Sequence, residues 1–105
     1  AAAGEDSATI RARVISARQR MLARQGVVNA RLDARGLAEQ VSLAAAERNM
    51  LNQAMEKLKL SGRARERILK LARSIADYDD RPAIDAAVLA EAIGYRNLDR
   101  LFAAS

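Results

Sequence analysis

Chemistry in this sequence must come from charged side chains, because the residues most often used in catalysis are missing from its 105 positions. The chain has no cysteine and no histidine, which excludes thiolate nucleophiles, disulfides, Cys/His zinc sites and catalysis by imidazole. It also lacks the Gly-x-x-x-x-Gly-Lys-Ser/Thr loop that cradles a triphosphate and the Gly-x-Gly-x-x-Gly turn of dinucleotide sites. We therefore predict that this chain is not itself an enzyme and that it holds no metal.

Arginines crowd the start of one predicted helix. Arg63, Arg65 and Arg67 fall within the first two turns after Ser61, and residues 57–73 hold seven bases and one acid, a local charge of +6. A helix start is electropositive because its amides are unpaired, so it normally attracts acids. A bound anion such as phosphate would make the arginines favourable there. The alternative is that they face solvent or pair with acids elsewhere, such as those in the segment 77–80.

Charge is unevenly distributed over the rest of the chain. Residues 11–35 hold seven arginines and one acid, whereas residues 74–105 hold three arginines and six acids, within a total of +5. This distribution fits contact with nucleic acid, docking against an acidic neighbour, or a solvated helix face. No aromatic residue interleaves with the bases, which disfavours stacking on single strands. The acids Asp77, Asp79 and Asp80 lack the calcium-loop pattern and are interpreted as a helix end followed by an acidic turn.

Helical periodicity recurs along the chain, and no segment alternates apolar and polar residues over the length of a strand. The predicted helices are one capped by Ser7 and ended by Gly26, a short one from Asp33 through Gln40, one capped by Ser42 from Leu43 to Lys59, one from Arg63 to Asp79, and one capped by Asp85 that ends near Gly94. The tail Tyr95–Ser105 would dock through Leu98, Leu101 and Phe102. We predict an all-α fold, a small bundle of four to five helices, with residues 1–6 as a disordered lead and residues 7–105 as a single domain.

The Arg63–Asp79 segment has the strongest pattern. Its predicted core face comprises Ala64, Ile68, Leu71, Ala72 and Ile75. Its predicted solvent face comprises Arg63, Glu66, Lys70, Arg73 and Asp77.

Three stretches of the sequence resemble one protein family. They are LSGRARERILKLARSIAD at residues 60–77, ISARQRMLARQ at residues 15–25, and LAEAIGYR at residues 89–96. Together, in their order along the chain, they resemble the C-terminal segment of magnesium-chelatase-like AAA+ ATPases, most closely the competence-protein (ComM) branch. The resemblance covers most of residues 10–100, and the central stretch is its most specific part.

The resemblance implies an AAA+ lid-like domain, the helical lid that follows a nucleotide-binding module. In such lids a "sensor 2" arginine reaches the γ-phosphate of ATP, and Arg63 matches it, with Ser61 as the helix cap and Arg67 in support. This sequence has Gly62 where alanine is more usual, which loosens the helix start. The parent would be an ATPase using ATP and Mg²⁺, with a P-loop domain upstream in the same chain. It would assemble as a hexamer and act as a ring on DNA during recombination of incoming strands, while the isolated fragment would bind no cofactor.

Two other functions stay open from the residues alone. One is a stand-alone basic helical module that binds nucleic acid, and the other is a protein-interaction bundle. No stretch approaches the roughly 18–20 apolar residues of a membrane span, and the first residues lack the pattern of a signal peptide. We predict a cytoplasmic protein without a membrane partner, and the start without methionine indicates a fragment of a longer chain.

Overall fold

Five α-helices and one 3₁₀ turn make up the part of the chain that the computed structural model describes, residues 6–104, with side chains described for residues 6–96. The elements are α1 (Ser7–Gln25), the 3₁₀ turn (Asn29–Arg31), α2 (Ala34–Gln40), α3 (Ala45–Leu58), α4 (Gly62–Tyr78) and α5 (Ala86–Ala104). No strand occurs within residues 6–104. The prediction of a small all-α bundle is confirmed.

Three of the predicted helix caps are present. The Asp33 carboxylate accepts a hydrogen bond from the Gly36 amide at 2.7 Å, which starts α2. The Ser61 hydroxyl accepts from the Ala64 amide at 3.2 Å and starts α4. The Asp85 carboxylate accepts from Val88 at 2.9 Å ahead of α5. Each oxygen satisfies an amide that has no partner within its own helix.

Two predicted helix starts are wrong. The cap of α1 is Asp6 rather than Ser7, because the Asp6 carboxylate accepts from the Thr9 amide at 2.7 Å. Asp6 belongs to the predicted disordered lead, whose other residues, 1–5, lie outside the described part. The start of α3 is Ala45 rather than Leu43, and the preceding Ala44 makes no side-chain cap. Ser42 therefore does not cap this helix.

The predicted end of the last helix near Gly94 is also wrong. The helix α5 continues through Gly94 to Ala104. Its inward residues Val88, Leu89 and Ala92, which precede Gly94, are buried. A glycine within a helix costs roughly 1 kcal/mol, which disfavours the helix without ending it. The side chains of Leu98, Leu101 and Phe102, which were predicted to dock, lie outside the described residues.

The helix α4 is central, because it contacts α1, the 3₁₀ turn, α2 and α5, while α3 packs on α5. Ala64, Ile68 and Ala72 are buried as predicted, and the predicted core residues Leu71 and Ile75 pack partly buried against the same cluster. However, Arg73 and Asp77, predicted to face solvent, are only 6% and 2% exposed. None of the described helices is long and apolar enough to cross a membrane.

Replacing Gly94 with alanine tests the continuous helix α5. A methyl group at this position meets no atom within 4 Å, so Gly94→Ala should raise the free energy of unfolding by about 0.5–1 kcal/mol through restriction of the unfolded chain. Gly26→Ala is the matched control: its φ of 79° is left-handed, so alanine should cost about 1–2 kcal/mol there. Urea unfolding measures both variants, and a loss of stability in Gly94→Ala would contradict the continuous helix.

Candidate functional site

Arg63 lies in the first turn of α4, directly after the capping residue Ser61, and its side chain is exposed. Arg67 follows one helical turn later on the same side and is also exposed. Among the residues whose side chains are described, neither arginine forms an ion pair. The first turn of α4 contains no acidic residue. Unpaired amides and guanidinium groups thus share one exposed helix end, which suits an anion.

Arg65 does not join this site. It is half-buried and lines a groove of about 460 Å³ between α2, α3 and α4, which also contains Arg48 and Glu66. Two residues along a helix correspond to a rotation of about 200°. Arg65 therefore points away from Arg63, towards the core side of the helix.

The three acids at the other end of α4 pair with α1. Arg13 lies 3.2 Å from the Asp79 carboxylate, Arg20 lies 3.1 Å from that of Asp80, and Arg24 lies 2.8 Å from that of Asp77. The interpretation that these acids pair with the arginines at the start of α4 is wrong, because the two ends are about 20 Å apart along the helix. Within the described residues, no three carboxylates come close enough to hold a metal.

Asp77 is the centre of a buried polar network. Arg24 donates to both of its oxygens, at 2.8 and 3.0 Å, in a forked arrangement. The side-chain amide of Asn29 donates to the same carboxylate at 2.9 Å, and Arg73 approaches it to 3.2 Å. Arg20 donates to the backbone carbonyl of Asp77. Four cationic or amide groups therefore converge on one aspartate.

Asn29 and Arg73 carry this network to two neighbouring segments. The Asn29 side chain, 1% exposed, accepts from Gln25 at 2.7 Å and donates to Ser74 at 3.2 Å. Arg73 donates to the carbonyls of Arg81 and Pro82, at 2.8 and 3.1 Å, which fixes the connection between α4 and α5. Most polar groups of the network satisfy one another inside the domain, although the buried Nε of Arg73 has no hydrogen-bond partner among the described atoms. The network therefore holds these elements in place.

The sequence did not predict this network, because helical periodicity placed Arg73 and Asp77 on the solvent face. The available signal was their spacing. Arg73 and Asp77 are four residues apart, and each follows a small apolar residue, Ala72 or Ala76, that is buried. A pair of opposite charges at that spacing beside the apolar face of a helix is compatible with burial, since each charge neutralises the other.

The surroundings of Asp77 favour its charged form. Burial alone raises the pKa of Asp77, but the hydrogen bonds from Arg24 and Asn29 and the charge of Arg73 outweigh burial, so that this pKa lies below the usual value for aspartate. A carboxyl group whose pKa is lowered by folding stabilises the folded state above its unfolded pKa of about 3.9. That contribution is lost as the pH falls through the lower, folded value.

The amino-acid sequence of this chain is similar to those of known proteins. Residues 4–96 match the family model described as magnesium chelatase, subunit ChlI C-terminal. The YifB protein of Escherichia coli K12 is 42% identical over 98 residues, which is 93% of this chain and 19% of that protein. The competence protein ComM of Haemophilus influenzae is 40% identical over 98 residues, also 93% of this chain and 19% of the relative. The chain thus spans about a fifth of the length of these relatives. No solved structure matches this chain at the level of statistical significance that these relatives reach.

Replacing Asp77 with asparagine should destabilise the domain strongly, because Arg24 and Arg73 would lose their buried counter-charge. We expect the free energy of unfolding at pH 7 to fall by about 3–5 kcal/mol. Asp80→Asn is the matched control: Asp80 is paired with Arg20 but 76% exposed, so its replacement should cost less than about 1 kcal/mol. Similar losses for the two variants in chemical unfolding would contradict the central role of Asp77.

Measurement of the unfolding free energy as the pH is lowered provides a second test of the role of Asp77. Between about pH 5 and pH 2 the unfolding free energy of the unmodified domain should fall in part through protonation of Asp77. Asp77→Asn lacks this carboxyl group, so its stability should fall less over the same range. Parallel curves for Asp77→Asn and the unmodified domain would show that Asp77 is not held in its charged form.

Proposed function

Because the chain belongs to the family of C-terminal domains of magnesium chelatase subunit ChlI, we propose that it is the helical lid of a magnesium-chelatase-like AAA+ ATPase and that Arg63 contacts the γ-phosphate of bound ATP. In this proposal the ATP and Mg²⁺ are held by a P-loop domain upstream in the parent protein. The parent assembles as a hexamer, and the similarity to a competence protein suggests that the ring acts on DNA.

The proposal rests on the exposure of Arg63 and on its lack of a carboxylate partner among the described side chains. Arg63 is exposed at the start of α4, and no carboxylate among the described side chains pairs with it. The acids that might have neutralised it are paired with α1 at the far end of the helix. A lone cation at a helix start costs about 0.3–1 kcal/mol. Contact with a phosphate would convert that cost into an attraction, since both the guanidinium and the helix amides favour an anion.

Ser61 and Arg67 support Arg63 in different ways. The Ser61 hydroxyl occupies the Ala64 amide, which fixes where the helix begins and so where Arg63 projects. Arg67, one turn further along, adds a second exposed cation on the same side. In the proposal Ser61 positions Arg63, and Arg67 increases the attraction for the phosphate without contacting the same oxygen atoms.

Because α4 is central, a displacement of Arg63 is transmitted to the other helices. Since α4 contacts four other elements and Asp77 ties its far end to α1 and to the α4–α5 connection, a force on Arg63 acts on the domain as a whole. Binding of the γ-phosphate by Arg63 stabilises the closed nucleotide site, and its loss after hydrolysis frees the lid to rotate.

Arg63→Ala in the full-length protein tests the assignment. We expect ATP turnover to fall by about a hundredfold, the usual effect of removing one preorganised group that stabilises developing charge. Arg35→Ala is the matched control, because Arg35 is 88% exposed and, among the described side chains, forms its ion pair with Glu39 one turn away. It removes the same charge and should leave turnover unchanged.

The stability of the 105-residue domain separates loss of function from loss of fold. Arg63→Ala removes an unpaired cation from a helix start, so the free energy of unfolding should rise by about 0.3–1 kcal/mol. Unchanged ATP turnover in a well-folded Arg63→Ala protein would refute the sensor role. A fall in the stability of the domain would instead indicate an undetected structural contact of Arg63.

A second candidate function is binding of nucleic acid along a basic ridge, defined as Arg31, Arg63, Arg67 and Lys70. The last three project from one side of α4 by helical spacing, and Lys70 donates to the Ala30 carbonyl at 3.3 Å, which places Arg31 beside it.

If the ridge neutralises four phosphates, the affinity of the isolated domain for duplex DNA should fall about a hundredfold between 50 and 200 mM salt. Arg67→Ala with Lys70→Ala should flatten that dependence, whereas Arg35→Ala should not. Absence of DNA binding at 50 mM salt eliminates this candidate.

A further inference from the structure

Helix α1 is attached to the domain by its charged side. Arg13, Arg20 and Arg24 reach the carboxylates at the end of α4, and Arg13 also lies over the Tyr78 ring at 4.5 Å. Ala17 is the only residue of this 19-residue helix that is buried. The arrangement is the reverse of an ordinary amphipathic helix, which turns its apolar side towards the core.

The aliphatic residues of α1 point outwards instead. Ile10, Val14, Ile15 and Leu22 are each 43–50% exposed. Arg11 and Arg18 lie beside them, are exposed, and form no ion pair among the described side chains. We call these six residues the outer face of α1. Four large aliphatic side chains on one short helix are more than the scattered apolar residues of an ordinary surface, and such patches mark interaction sites.

A groove extends the outer face towards α4. It has a volume of about 320 Å³, is mainly apolar, and is bordered by Val14 and Arg18 on α1 and by Val28 and Tyr78 opposite. An apolar side chain of a partner therefore fits between α1 and α4. Arg18 at the groove and Arg11 on the outer face have no carboxylate partner among the described side chains. They favour carboxylates around the apolar centre of that partner.

The position of α1 in the chain indicates where the partner comes from. The family is the C-terminal part of longer proteins, and this chain spans about a fifth of its relatives' length. The rest of a relative thus precedes α1, the first helix. A segment joined directly to α1 meets its outer face at a high effective concentration, so even a modest contact forms.

We propose that the outer face of α1 docks against an apolar surface, rimmed by carboxylates, on the domain that precedes it in the parent protein. This rests on the part of the proposed function that makes the chain the end of a longer ATPase, but not on the role of Arg63. With one side held by Asp77 and the other by the preceding domain, α1 forms the mechanical link between that domain and α4.

Hydrogen exchange in the nucleotide-free full-length protein tests the docking. Replacing both Ile15 and Leu22 with aspartate should accelerate amide exchange in α1 by about tenfold or more, because the helix loses its cover and opens locally. Ala23→Asp is the matched control: Ala23 is exposed on the same helix away from the aliphatic residues. It introduces one of the two negative charges of the double variant at an exposed position of α1 and should leave exchange in α1 unchanged. The circular dichroism of the 105-residue domain carrying the double substitution should show that α1 still forms.

Equal exchange in the double variant and the unmodified protein would overturn the proposal. So would protection of α1 that grows with protein concentration in the 105-residue chain, since a second copy would then cover the outer face. The result is independent of the sensor assignment, because no nucleotide is present. Loss of ATP turnover in Arg63→Ala together with unchanged exchange in the double variant removes only the docking.

Discussion

One buried carboxylate, that of Asp77, sets the arrangement of most of the domain. Arg24 brings the end of α1 to it, Asn29 brings the 3₁₀ turn, and Arg73 extends the contact to the connection with α5. The apolar core joins α4, α5 and the neighbouring helices without specifying where α1 lies, because α1 contributes little to that core. The position of α1 therefore depends on charge pairing in a desolvated place, where an unmatched group is costly.

The charged residues at the two ends of α4 differ in whether they form ion pairs. At the end of α4, three carboxylates form ion pairs with arginines of α1. At its start, Arg63 and Arg67 are exposed and have no carboxylate partner among the described side chains. The internal pairing thus engages the three acids at the end of α4, while at its start the charges of Arg63 and Arg67 add to the positive end of the helix dipole. The same helix is a structural anchor at one end and a candidate anion site at the other.

Features determined by neighbours in the chain were predictable, and features determined by distant residues were not. The caps at Asp33, Ser61 and Asp85 depend on hydrogen bonds over three residues, so the local sequence reveals them. The burial of Asp77 depends on Arg24 and Asn29, which are 53 and 48 residues away. Helical periodicity alone places Asp77 on the solvent face and cannot supply those partners. The exposure of Arg63 was predicted from its position, while its role in the parent protein depends on the family resemblance.

The ion pairs that hold α1 differ in how far each is shielded from solvent. The pairs of Arg13 and Arg20 involve half-exposed or exposed carboxylates, whereas the carboxylate that Arg24 binds is almost fully enclosed. Dissolved ions weaken exposed pairs much more than enclosed ones. As ionic strength rises, the pairs of Arg13 and Arg20 therefore weaken before that of Arg24, so the contact near the end of α1 is the last to be lost. The strength with which α1 is attached to the domain therefore depends on the ionic strength of the surrounding solution.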